Sequence, residues 1–381
     1  MNQEAIKRRK FIDNSAKAAA GMIGLNALGL PFARTFGTPR PTRLPAAPRI
    51  KFSVIGINHG HIYSMVETAI RGGGQLVSFY AKEPDLSAAF AKRYPDAKIA
   101  SDKREILDDQ SIQLIASAAI PNERAAIGIE AMQHGKDFMV DKPGITSLEQ
   151  LAQVKDVQKK TKRIYSIVYG ERLENKATIK AYELVKNGAI GKVVQTIGLG
   201  PHAMNPQTRP PWFFEKEKYG GILTDIGSHQ FDQFLLFTNS TEAEVVTSQV
   251  GNFNHKQYPE LEDFGDTMLR GNGATGYLRV DWFTPGGLKT WGDSRATILG
   301  TEGYIEMRKN IDIGGRPGGN HLFLVDQKET RYVDCSNVPL TYGTRLVDDI
   351  LNRTETAMTQ HGCFLATELA LKAEKMAYKI I

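Results

Sequence analysis

Beyond residue 50 the chain alternates short apolar runs with stretches in which apolar residues return every three to four positions. "IKFSVIGINHGHIYSMVETAI" opens the series with an apolar run, a break at Gly56 and then a helical period. That order predicts a strand, a tight turn and a helix. It repeats as "GQLVSFYA" and "LSAAFAKRY", "IQLIASAA" and "ERAAIGIEAMQHG", "DFMVDKP" and "SLEQLAQVKDVQKKT", and closes on "RIYSIVYG". Apolar runs separated by helical segments predict crossover units on a parallel sheet buried on both faces. Residues 50–170 are therefore expected to form a doubly wound α/β domain.

Past Gly170 the period changes. One helix, "NKATIKAYELVKNGAIG", precedes a series of runs with strand character: "AEVVTSQVGNF", "FGDTMLRGNGATGYLRVDWF", "SRATILGTEGYIEMR", "HLFLVDQ" and "TRYVDC". Turn signals such as Asn272-Gly273 separate them, so residues 171–381 are expected to build a large, mostly antiparallel sheet in an α+β domain. Two closing helical stretches, 344–352 and 362–380, are expected to pack back on the body.

At 381 residues, 41% hydrophobic and 24% charged, the chain has the composition of a soluble globular protein of two domains. Its formal net charge of +6 changes meaning once located. Residues 1–49 hold nine of the 48 Lys/Arg and two of the 42 acids, so the body carries 39 bases against 40 acids. No basic excess remains there to hold a phosphate backbone, and nucleic acid is not expected as a partner. The basic residues belong to a leader, "KRRKFIDNSAKAAAGMIGLNALGLPFA": Arg8 and Arg9, then Phe11 and Ile12, then a weakly apolar run too short and Gly-rich for stable membrane insertion. It resembles a twin-arginine export signal over 1–36, followed by a Pro-rich linker over 37–49. Periplasmic location is the expectation; a solvated basic helix on a cytoplasmic protein is the alternative. Cys335 and Cys363 are two cysteines in a large body, read as buried apolar residues rather than a disulfide framework or a zinc site, with a single disulfide as the alternative.

Candidate chemistry gathers at three places. In "VIGINHGH", Gly56 suits the tight turn of a dinucleotide-binding loop. Asn58 stands where a second glycine usually allows the pyrophosphate close, and Gly60 and His61 follow. Asn58, His59 and His61 are expected to add donors at the helix N-terminus. Glu83, after the second strand, is placed for the ribose hydroxyls of NAD, with Lys82 beside it for the extra phosphate of NADP; Pro121 and Asn122 complete the cofactor side. Lys142, in "DKPGITS", ends a buried parallel strand where open α/β sheets bind ligands. In "GGILTDIGSHQFD", Asp225, His229 and Asp232 are spaced by four and three and would share one helical face. Metal binding, capping of N–H groups and acid/base chemistry are all open to these three. Acid/base work is favoured because Lys142 supplies a second group, and no metal is expected.

These segments, with "GAIGKVVQ", "RATILGTEGYIEM" and the ending "LVDDILNRTE...LATELALKAEKMA", resemble the Gfo/Idh/MocA oxidoreductases from Ile50 onward. The resemblance implies a Rossmann domain holding NAD or NADP and a C-terminal domain whose open sheet often makes a homo-oligomer, dimer or tetramer. It also implies Lys142, Asp225 and His229 as catalytic residues and Asp232 as structural. Asp141 and Asn58 depart from the family pattern. Proton removal from a sugar, glycoside or polyol hydroxyl by His229, oriented by Asp225, with Lys142 stabilising the alkoxide, is the expected chemistry. Arg172, His202 and Trp212 are expected on the substrate side. Export would demand a tightly bound cofactor regenerated in place. That keeps open a redox-neutral cycle through a transient keto-sugar, as in NAD-dependent glycosidases, and a non-catalytic sugar-binding protein.

Overall fold

The computed structural model describes residues 47–380; the leader and most of the linker lie outside the described residues. Six strands form the first sheet: β1 (Ile50–Ile55), β2 (Gly74–Tyr80), β3 (Lys98–Ile99), β4 (Leu114–Ser117), β5 (Asp137–Asp141) and β6 (Tyr165–Val168). Their order is β3-β2-β1-β4-β5-β6, and every pairing is parallel. Strand order reverses between β1 and β4, which leaves a crevice at the C-terminal ends of those strands for a dinucleotide. All residues of β4 and β5 are buried, because helices cover both faces, and so these strands read as unbroken apolar runs. The two-residue β3 and the short helix Lys103–Leu107 carry too few apolar positions to show a period, and both were invisible in the sequence pattern.

The second sheet has nine strands: β7 (Val193–Pro201), β8 (Ala243–Gly251), β9 (Phe264–Gly271), β10 (Ala274–Asp281), β11 (Arg295–Gly300), β12 (Gly303–Arg308), β13 (His321–Asp326), β14 (Thr330–Val333) and β15 (Tyr378–Lys379). They run β14-β13-β12-β11-β7-β10-β9-β8-β15, antiparallel except for β7–β10 and β8–β15. Asn272 and Gly273, both at positive φ, make the β9–β10 turn that the sequence signals. The final helix ends at Met376, and the chain then pairs with β8 as β15 instead of continuing helical to 380.

One face of this sheet carries the helix Gly227–Thr238, and glycines let it lie directly on the strands. A Cβ on Gly198 would come 2.5 Å from the Gln230 side chain, and one on Gly276 would come 2.6 Å from Phe234. The opposite face bears Ile197, Tyr277, Met268, Leu299 and Tyr304, of which the last three are exposed. The helix Tyr342–Asn352 returns to the first domain at Gly343, where a Cβ would meet Thr68 O at 2.0 Å, and Arg353 pairs with Asp137 at 2.6 Å.

Candidate active site

β5 ends at Asp141, and the next residue, Lys142, begins a loop through a cis Lys142–Pro143 bond. Buried Arg124 fixes this loop: its guanidinium donates to the carbonyls of Ala119, Asp141, Lys142 and Pro143 at 2.7–3.1 Å. Lys142 Nζ then donates to Asp225 Oδ1 at 2.7 Å, with both side chains buried. Burial pushes the Asp225 carboxyl up, but the Lys142 ammonium more than offsets it and holds the carboxyl below its usual range.

Asp225 closes the one-turn helix Ile222–Asp225. Gly220 and Gly221, both at φ 92°, bring the chain in, and a Cβ on Gly221 would lie 2.2 Å from the Glu374 carboxyl. Glu262 and Glu374 accept from the N–H groups of Ile222 and Leu223 at 3.0 and 3.1 Å, capping the turn that carries Asp225. The paired glycines of "GGILTD" thus have a steric reason.

After Asp225 the helical ladder is interrupted: His229 N bonds Ile226 O, and a separate helix runs Gly227–Thr238. Ile226 between the two helices keeps right-handed helical angles, φ −77° and ψ −42°. No hydrogen bond joins Asp225 to His229, and Asp225 serves Lys142 instead. His229 is 6% exposed, with Nδ1 unpartnered among the described residues. Burial lowers its pKa to about 3; the charge of Glu171 opposes that shift, and Lys142 adds to it. The imidazole is therefore neutral near pH 7, as a base must be.

Glu171, passed over in the sequence for its neighbour Arg172, is the centre of a buried network. Lys309 (2.7 Å), Ser294 (2.9 Å), Gln230 (3.0 Å) and Gln233 (3.2 Å) all donate to its carboxylate. Burial opposes ionisation, yet Lys309 and then His229 hold the carboxyl well below its usual range. Its one sequence signal is an acid directly after a buried parallel strand. Arg172, expected at the substrate, donates instead to Asp232 at 2.7 Å. That pairing uses one guanidinium nitrogen of Arg172 and one oxygen of buried Asp232.

On the substrate side, the His202 ring lies 4.6 Å from Trp291 and 5.5 Å from Trp282. Burial first, and Lys142 second, lower its pKa to about 4. Trp212, expected to stack on a sugar, is buried beside Phe213 in the turn Pro211–Phe214. Trp291 is the half-exposed indole next to His202.

On the cofactor side, Gly56 has φ 82°, and a Cβ there would meet Ala119 Cβ at 2.5 Å, so the turn admits only glycine. Gly60 starts the helix His61–Arg71 without a side-chain cap. Asn58 Nδ2 donates to Glu83 Oε1 at 2.7 Å, while Lys82 is turned to Glu123 at 3.2 Å. Pro121 begins the helix Pro121–Gln133, and the Asn122 carbonyl accepts from Gln150. The strand order, the tight Gly56 turn, the uncapped helix and a carboxylate past β2 fit a dinucleotide. His59 and His61 do not simply face outward, because both Nδ1 atoms lie on Asp141, at 2.7 and 2.9 Å. A cavity of about 690 Å³ beside Asn122, Thr146, Lys216 and Glu374 includes none of Lys142, Asp225 or His229.

Residues 50–169 match the model of an oxidoreductase family with an NAD-binding Rossmann fold, and residues 178–306 match that of the GFO/IDH/MocA C-terminal domain. A solved structure from Erwinia carotovora atroseptica SCRI1043 is 45% identical with a TM-score of 0.85, over 87% of this chain and 100% of that one. The scyllo-inositol 2-dehydrogenase (NAD(+)) of Bacillus subtilis strain 168 is 28% identical over 68% of this chain and 73% of its own length. The levoglucosan dehydrogenase of Pseudarthrobacter phenanthrenivorans is 29% identical, and the match spans 39% of each chain.

Proposed function

The chain belongs to the Gfo/Idh/MocA family of NAD-binding oxidoreductases, and from that premise we propose that it oxidises a hydroxyl of a sugar, glycoside or polyol. The observation that carries this reading is the buried Lys142–Asp225 pair at the C-terminal edge of the first sheet, in the field of a neutral His229. His229 takes the hydroxyl proton. The Lys142 ammonium stabilises the alkoxide, and Asp225 holds that ammonium in place. Glu171 faces the imidazolium that results with a negative charge fixed by four donors. Gly56, Asn58, Gly60, Glu83, Pro121 and Asn122 would hold NAD, which when bound supplies the hydride acceptor. Glu83 favours NAD over NADP, since a carboxylate suits ribose hydroxyls and Lys82 is engaged elsewhere.

The relatives named for inositol and levoglucosan dehydrogenation support a polyol or sugar as substrate. The leader composition supports export to the periplasm with the cofactor retained, and the apolar outer face of the second sheet supports a homo-oligomer. Among the described residues no helix is long and apolar enough to cross a membrane. The test is incubation of the purified protein with NAD and a panel of polyols, sugars and glycosides, followed by mass spectrometry. A keto product with stoichiometric NADH supports net dehydrogenation. Released aglycone without NADH accumulation moves the reading to the redox-neutral cycle, and binding without product moves it to a non-catalytic sugar binder.

A further inference from the structure

His59 and His61 come from the turn after β1, and Asp141 from the end of β5, two strands away across the crevice. Their ligand atoms lie within 4.8 Å of one another. Both imidazoles place Nδ1 on the same carboxylate, His59 on Oδ2 at 2.7 Å and His61 on Oδ1 at 2.9 Å, with ring centroids 4.2 Å apart. Among the described residues no other group of three His, Cys, Asp or Glu side chains meets that spacing. Asp225, His229 and Asp232, the set weighed for a metal in the sequence, are engaged separately.

We propose that His59, His61 and Asp141 form a binding site for one divalent first-row transition-metal ion of the zinc class. Two imidazoles and one carboxylate are a donor set that such ions accept, whereas magnesium and calcium prefer oxygen alone. Ligands of a tetrahedral ion with bonds near 2.0–2.1 Å stand about 3.3 Å apart. Replacing the two Nδ1–H···O hydrogen bonds by an ion opens the 2.7 and 2.9 Å contacts by about half an ångström. Each Nδ1 donates to the ionised carboxylate, so ligation at these atoms displaces two N–H protons and strengthens as pH rises.

Arg124 Nη2 also donates to the carboxylate, at 3.1 Å from Asp141 Oδ2. Its other bonds to four carbonyls keep it in place, so it orients the carboxylate from behind as outer partners of metal ligands do. The His61 side chain is half exposed, which leaves ion entry and the open coordination positions on the crevice side.

The experiment uses the full chain, stripped with chelator, free of added cofactor and substrate, and titrated with Co²⁺ and then Zn²⁺. We expect visible Co²⁺ ligand-field bands that saturate at one ion per chain and are displaced by Zn²⁺, with one zinc retained per chain after dialysis. His61→Ala, at a half-exposed position, should weaken the affinity at least about tenfold, while His134→Ala, a surface control, should leave it unchanged. Absence of the bands together with no retained zinc overturns the site, as does wild-type affinity in His61→Ala. Metal binding is read without turnover, so its failure leaves the dehydrogenase reading untouched, and the reverse.

Discussion

Lys142 Nζ and Asp225 Oδ1 lie 2.7 Å apart and join the two sheets across the crevice, one residue from each domain. Both are buried, so the pair holds geometry more than it adds stability: removing one partner strands the other charge in a low dielectric. Lys142→Met alone should cost about 3–5 kcal/mol by denaturant unfolding. Lys142→Met with Asp225→Leu should recover most of that loss. Turnover should be absent in both variants, which separates the pair's chemical role from its structural one.

His229→Asn should lower kcat by about two to four orders of magnitude, the range of a lost general base. NAD affinity measured by fluorescence titration should stay within threefold. Its pKa of about 3 makes a second expectation. The acid limb of kcat/KM should lack an inflection near 6.5, the value of an ordinary imidazole; a limb there that disappears in His229→Asn counts against a buried neutral base.

The same shift reaches stability. His229 and His202 titrate at about 3 and about 4 in the folded chain and near 6.5 when unfolded. The unfolded chain binds more protons between those values. Their contribution is complete above pH 6.5 and is lost as pH falls toward 4. Each imidazole should add a slope of about 1.4 kcal/mol per pH unit in that window. Urea unfolding of His229→Gln at pH 4.5 and 6.5 should show the slope reduced by about one such step.

Glu83→Ala removes the carboxylate placed past β2 and frees Asn58 Nδ2. The ratio of kcat/KM for NAD over NADP should fall by about tenfold or more, equivalent to the loss of one charge-assisted bond. Parallel assays with the two cofactors check this. An unchanged ratio would place the ribose elsewhere.

The architecture was legible because period and burial agree. β4 and β5 are buried throughout and read as continuous apolar runs, while β9 alternates and reads as a half-buried strand. The residues proposed for the chemistry, Lys142, Asp225 and His229, stand out in the sequence by their places after a strand and a double glycine. Their pairing was not, because Lys142 and Asp225 lie 83 residues apart in different domains and no spacing rule joins them. Glu171 and Arg172 show the same limit: adjacent residues, one sent into the His229 network and the other to Asp232, with no local pattern that tells them apart. The meeting of His59 and His61 with Asp141 joins the turn after β1 to the end of β5, 80 residues on, a contact that no spacing rule reports.

Trp291 offers the sharpest check on the substrate side. Its indole is 48% exposed, lies 4.6 Å from the His202 ring and is tied to that strand end by Ala203 N donating to Trp291 O. An exposed aromatic face beside a polar site suits the C–H face of a sugar ring. Trp291→Ala should raise KM about tenfold with kcat kept within threefold, since stacking is made equally in ground and transition states. Trp291→Phe should restore most of the affinity. Trp212→Ala, by contrast, opens a cavity beside Phe213 and should cost about 3–5 kcal/mol of stability while leaving KM for the folded fraction near its original value. If Trp212→Ala moves KM and Trp291→Ala does not, the substrate enters on the other side of His202.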